Sequence, residues 1–160
     1  MNEREVRVRS VRYADALWLV SVGFDPEKIG RQYHWAETPL QLYIAPARAL
    51  LGPRGPAAIV EVDGRRAGYV GRNPLSGNFE YFLQPWARGR GLGTVSIGEF
   101  LAKHRGDDRA RRFMIKHGNA RSLQALRHAL EQMGWIEGRD YRIEDGRVAT
   151  SVWVRSTSTP

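Results

Sequence analysis

Arg88, Gly91 and Gly93 stand in the run Arg88-Gly89-Arg90-Gly91-Leu92-Gly93, a combination of residue types and spacing that can grip a phosphate. Glycine lets the backbone approach a ligand closely, and the run falls where one periodicity gives way to another. Before it, Tyr81 and Leu83 share a strand face by alternation, and Pro85 cannot donate to a ladder. After it, Gly93, Ile97, Phe100, Leu101 and His104 fall on one helical face. Lys103, His104 and Arg105 suit the last turn, with Gly106 as the C-cap. A helix that opens on glycines leaves its first N–H groups uncovered at the positive end of its dipole, which makes a receptor for phosphate.

Two familiar phosphate sites are excluded by spacing. A P-loop needs Gly-Lys-Ser/Thr after its glycines, and no lysine stands there. A dinucleotide fingerprint read from Gly91-Leu92-Gly93 needs a third glycine where Ser96 stands. The pattern that is matched is Arg/Gln-x-x-Gly-x-Gly/Ala, preceded by the extended run Tyr81-Phe82-Leu83-Gln84-Pro85. A second run, Gly118-Asn119-Ala120-Arg121-Ser122, opens a helix with an apolar stripe at Leu123, Leu126, Leu130 and Met133, closed by Gly134-Trp135. Asn119 or Ser122 can cap that helix.

Taken together, these runs resemble the GNAT family of N-acetyltransferases, whose signatures are the arginine–glycine turn and Asn-x-x-Ala/Ser before a helix ending in Gly-Phe. The likeness spans roughly residues 5–155, and its specific part is 81–94 with Asn119, Ser122 and Gly134-Trp135. It implies an α/β (α+β) fold: a mixed, mainly antiparallel central sheet flanked by helices, with a splayed parallel strand pair at the acyl-CoA site. It also implies acetyl-CoA as acyl donor and a primary amine, of a small molecule or a protein N-terminus, as acceptor. Carried over residue by residue, donor contacts fall on Leu83, Arg88, Gly89, Arg90, Gly91, Leu92, Gly93, Thr94, Asn119 and Ser122.

Acyl transfer from a thioester to an amine needs a neutral amine, a donor to the carbonyl oxygen and an exit for the thiolate. The resemblance gives the oxygen donor as the Leu83 N–H, freed by a strand that leaves its neighbour. Here the chain departs from the family. Leu126 stands where many members place a tyrosine acid, and strand 112–116 lacks the glutamate that some use as base. Glu80 is the remaining candidate base, with an exposed carboxylate facing arginines as its structural alternative. Tyr141 and Tyr33 are candidates for the acid, with His117 further off.

The elements that must position these residues follow from pattern. Glu5 to Val11 alternates as a strand with Arg7 and Arg9 on its wet face, and Ala14 to Val22 reads as a helix making contacts through Leu17, Trp18 and Val20 to Val22. A second helical stretch, 27–35, and a helix capped by Thr38-Pro39 follow. Phe24, Tyr33, Trp35 and Tyr43 either pack between these helices or line an acceptor pocket, and His34 reads as a surface residue. Strands 57–62 and 66–71 form a hairpin around Asp63-Gly64, with 79–84 as the third antiparallel strand. Strand 112–116 follows a helix and so runs parallel to 79–84. Residues 139–144 and 147–155 close the chain as a hairpin, and 156–160 form a polar tail.

Composition bounds the rest. A chain of 160 residues with 42% hydrophobic residues reads as one domain over 1–155. It has no apolar run of membrane-spanning length, no leader pattern and no cysteine, so a cytoplasmic protein without disulfides or thiolate metal sites is expected, with no membrane partner. None of its four histidines pair at helical ligand spacing, so no metal is expected. The net charge of +8 attracts polyanions and disfavours a polyamine acceptor. Two other readings compete: a module of the same fold that binds acyl-CoA or a partner without catalysis, and a nucleic-acid-binding domain using Arg88, Arg90 and the Arg109–Arg112 cluster. The last explains the charge but not the glycines at a strand–helix junction, and a steep salt dependence without CoA binding would favour it. Self-association as a homodimer is left open.

Overall fold

Among the described residues the strands join one mixed sheet of seven strands, with apolar residues on its buried positions. The structure is a computed structural model and describes residues 5–23, 57–72, 78–104 and 111–155. Strand β1 is Val6–Ser10, followed by a short 3-10 turn at Tyr13–Asp15 and helix α1 at Ala16–Gly23. Strands β2 (Ala57–Val62), β3 (Arg65–Arg72) and β4 (Asn78–Leu83) complete an antiparallel meander. Helix α2 (Leu92–Lys103) crosses to β5 (Arg111–Lys116), which runs parallel to β4. Helix α3 is Ala120–Gln132, and β6 (Tyr141–Asp145) with β7 (Ala149–Val154) ends the sheet, whose order is β1-β2-β3-β4-β5-β7-β6. The expected helices over 27–35 and from Thr38, with Tyr33, His34, Tyr43 and the tail, lie outside the described residues.

The sequence expectations hold for the meander, the hairpin turn and the parallel partner. Asp63 and Gly64 take φ of 50° and 74°, the tight-turn geometry that Asp-Gly favours. Three findings differ. Arg9 is not on a wet face: its guanidinium clasps the fully buried Asp15 through two bonds of 2.7 and 2.9 Å and Glu61 through a third. Leu17 is 82% exposed, so α1 packs through Leu19 and Val22 instead. Pro85 starts a 3-10 turn, Pro85–Ala87, inserted between strand and glycine run.

The two faces of the sheet are covered differently. Helices α2 and α3 lie on one, over a core that includes Phe79, Phe100, Phe113, Ile97, Leu126 and Leu130. Phe79 stacks on Phe113 at 4.9 Å and meets Phe100 edge-on at 5.3 Å, which pins β4 to β5 at that point. On the other face α1 lays Trp18 against Phe82, whose ring also stacks on its cross-strand neighbour Tyr69. Among the described residues, no helix is long and apolar enough to cross a membrane.

Candidate active site

Strands β4 and β5 pair only at Asn78 with Arg112 and Phe79 with Phe113. Beyond Phe79 they part, and Glu80 to Leu83 keep β3 as their strand partner. Which backbone groups face the opening follows from the ladder. Gln84 N–H donates to Ala67 O at 2.8 Å, and antiparallel partners alternate between bonded and non-bonded pairs. Glu80 and Phe82 therefore turn their backbone to β3, while Tyr81 and Leu83 present theirs to the opening. The Leu83 carbonyl on that side is taken by Arg88 Nε at 2.7 Å. The Leu83 N–H is left directed into the opening.

At the mouth stands the start of α2. Gly91 is its N-cap, with φ of 73°, and no side chain caps the helix. Val95 N–H donates to Gly91 O, so the N–H groups of Leu92, Gly93 and Thr94 precede the first intrahelical bond. A left-handed N-cap of this kind needs glycine, since an L side chain would strain the turn. Opposite it, α3 begins at Asn119, whose side-chain oxygen accepts the Ser122 N–H at 3.3 Å. Asn119 is thus a cap. Gly134 and Trp135 end the same helix by donating to Glu131 O and Leu130 O.

These elements enclose a cleft of about 910 Å³. Its lining includes Leu83, Arg88, Gly89, Gly91, Leu92, Gly93, Thr94, Asn119 and Ser122, with Glu80. Arg90 is exposed and does not line it. Arg88, Lys116 and Arg121 are its cations, and Glu80 is the one acidic residue among the described lining residues. Partial burial lowers the Arg88 guanidinium from its ordinary value. A cleft of this size and charge, ending at uncovered helix N–H groups, fits a long ligand that carries phosphate at one end.

Glu80 lies on the α1 face of β4, opposite Gly71 on β3. A Cβ at Gly71 would come within 2.3 Å of the Tyr69 hydroxyl, so Gly71 makes the room that this hydroxyl fills beside Glu80. Burial first, then the Glu80 carboxylate, pushes Tyr69 well above the usual tyrosine range and keeps it protonated. Tyr141 is placed elsewhere: 4% exposed on the outermost strand, outside the cleft lining, and held protonated by burial and by Glu137 and Glu131. His117 sits at the surface with Asp145 at 3.6 Å. Leu126 is fully buried in the core.

Tyr81 is a cleft residue that sequence reasoning missed. Its ring lies beside Gly93, its hydroxyl reaches the Ser122 carbonyl at 3.5 Å, and burial raises it. The alternation that put Tyr81 on the helix side of β4 was the available signal. Arg112, from the basic cluster, turns its guanidinium over Trp153 at 4.5 Å and bonds Ser151 at 3.3 Å. That use competes with a role in binding nucleic acid.

No family model matches the sequence, and no curated protein matches it. The likeness is one of structure. An acetyltransferase of the GNAT family from Streptococcus pneumoniae superposes with a TM-score of 0.64 at 15% identity, over 93% of this chain and 97% of that one. A ribosomal-protein-alanine N-acetyltransferase from Brucella melitensis gives 0.66 at 18%, over 92% and 96%. A GNAT superfamily phosphinothricin acetyltransferase from Sinorhizobium meliloti, solved with acetyl-CoA, gives 0.68 at 16%, over 97% and 92%. With its mostly antiparallel sheet and one splayed parallel pair, the chain has the GNAT fold.

Proposed function

We propose that the protein is an acyl-CoA-dependent N-acyltransferase that moves an acetyl group from acetyl-CoA to a primary amine. One observation carries the reading: β4 leaves β5 after Phe79, and the opening ends at the uncapped start of α2. Structural neighbours solved with acetyl-CoA support it.

Acetyl-CoA, when bound, supplies the acyl thioester. The N–H groups of Leu92, Gly93 and Thr94, with Arg88, Gly89 and Gly91, would hold its pyrophosphate, helped by the dipole of α2. Asn119 and Ser122 would flank it from α3. The Leu83 N–H, directed into the opening, would donate to a carbonyl oxygen gaining charge. Glu80 would take the proton from the incoming amine, directly or through water. Tyr81 suits the acid role better than Tyr141, because it lines the cleft and burial keeps its proton on. A thiolate leaves with little help in any case.

A second reading keeps the fold and the donor site but drops catalysis, and the buried Leu126 at the family's tyrosine position is its motive. Calorimetric titration with acetyl-CoA and CoA tests the shared part, with saturable binding expected. Thiol release over a panel of amines then separates the two. Binding without release from any amine would favour the inactive module, and absence of binding would retire both.

A further inference from the structure

On the α1 face of the sheet a second pocket, of about 690 Å³, is lined by Arg12, Arg65, Arg66, Trp18, Glu61 and Gln84, with Arg9 at its base. Arg9 is spent on Asp15 and Glu61, and Arg66 gives its Nε to Asp15 at 2.8 Å and a second nitrogen to Ala14 O. Those two arginines and two carboxylates cancel. Arg12 and Arg65 remain, and neither has an ion pair among the described residues. Among the described residues the pocket therefore presents an excess of two positive charges over a neutralised floor.

Arg65 is also held in place. Its guanidinium lies over the Trp86 ring at 4.4 Å, and the Trp86 indole N–H donates to Gln84 Oε1 at 2.5 Å. A stacked guanidinium keeps its in-plane donors for a planar oxyanion and loses little freedom on binding one.

The pocket and the cleft share one strand. Alternation puts Glu80, Phe82 and Gln84 on the same face of β4. Glu80 lines the cleft and Gln84 lines the arginine pocket. Between them the rings of Trp18, Phe82 and Tyr69 pack against one another as an aromatic floor. Four residues of strand separate the two ends, roughly 13 Å at about 3.3 Å per residue.

From this arrangement we propose that the acceptor amine carries a carboxylate, seated on Arg12 and Arg65, with its amine delivered to Glu80 across the aromatic floor. The inference rests on the acyltransferase reading above. It assigns the acceptor to acidic, peptide-like amines in which a carboxylate lies two residues from the free N-terminus. A polycation is repelled at the same site.

The probes are two amidated tripeptides with free N-termini, Ala-Ala-Glu and Ala-Ala-Gln, which differ only in a carboxylate and its neutral isostere. Titration into the full chain, and acetylation with acetyl-CoA, are read in parallel. The glutamate peptide should bind at least tenfold tighter and show an equally lower KM. Arg12→Ala with Arg65→Ala, and to a lesser degree Arg12→Ala alone, should erase that preference while acetyl-CoA binding stays as in the wild type. Arg142→Ala with Arg147→Ala removes the same charge from exposed positions and should leave the preference intact. Equal treatment of the two peptides, survival of the preference without Arg12 and Arg65, or its equal loss in the Arg142/Arg147 control would each overturn the proposal. A wild type that binds no acetyl-CoA would instead bring down the acyltransferase reading, and the acceptor assignment with it.

Discussion

Replacing Glu80 by glutamine keeps the shape and one acceptor oxygen but removes the one carboxylate lining the cleft among the described residues. General-base assistance is worth about 10²–10⁴-fold in rate, so turnover on a saturating peptide amine should fall by about that factor at pH 7. The variant must rely on amine that is already neutral. An α-amine titrating near 7.7–8.0 is about one-sixth to one-eleventh neutral at pH 7 and almost wholly neutral at pH 9. The variant should therefore recover by about six- to tenfold over that interval, and the wild type less. Affinity for acetyl-CoA should not fall, since the phosphate receptor at the start of α2 is on the other side of β4. A second readout comes from Tyr69, which is raised first by burial and second by the Glu80 carboxylate. In Glu80→Gln its ionisation should move down yet stay above the usual tyrosine range, read as the absorbance titration of the variant minus that of the same variant carrying Tyr69→Phe. A near-wild-type rate at pH 7, with the Tyr69 titration moved as expected, would show a folded site that does not use Glu80 as its base.

Two further outcomes follow from the geometry. Gly91→Val meets open space, because nothing lies within 4 Å of a Cβ there, but forces a left-handed φ on a branched residue; it should cost about 1–2 kcal/mol in thermal unfolding and weaken acetyl-CoA binding more than tenfold, and a folded variant with unchanged affinity would place the phosphate elsewhere. Asp15→Ala leaves two arginines facing a void and should cost about 3–5 kcal/mol in denaturant unfolding. Arg9 above all, against the opposing effect of burial, holds Asp15 below its ordinary value. Its contribution is thus full at neutral pH and fades as pH falls below about 3.9, so the gap between wild type and variant should narrow in acid; a constant gap would mean that the carboxylate charge is not what stabilises.

What was legible in the sequence was local. Strand β4, the glycine turn and α2 announce themselves by a change of period and by residues that cap or break, and Asn119 marks α3 in the same way. The parallel partner β5 followed from the intervening helix. What escaped detection depends on long-range pairing. Nothing near Arg9 says that Asp15, six residues on, turns inward to meet it, or that Glu61 and Arg66 complete the group. The insertion of β7 between β5 and β6 reverses chain order and has no local signature. Tyr69 and Tyr81 look alike as strand tyrosines; only the cross-strand register sends one to Glu80 and the other to α3.

The parting of β4 from β5 also has a mechanical side. The sheet is two blades, β1–β4 and β5–β7, and hydrogen bonds stitch them over just two residue positions, beside a stack of phenylalanines. Such a seam is where amide exchange should be fastest within the sheet and where local opening costs least. A ligand lodged along it bonds to both blades at once and acts as a bolt. By mass action, occupancy at a hundred times the dissociation constant adds about 2.7 kcal/mol to the folded state. A protein built this way would be stiffest when loaded and would return to the looser form when the ligand leaves.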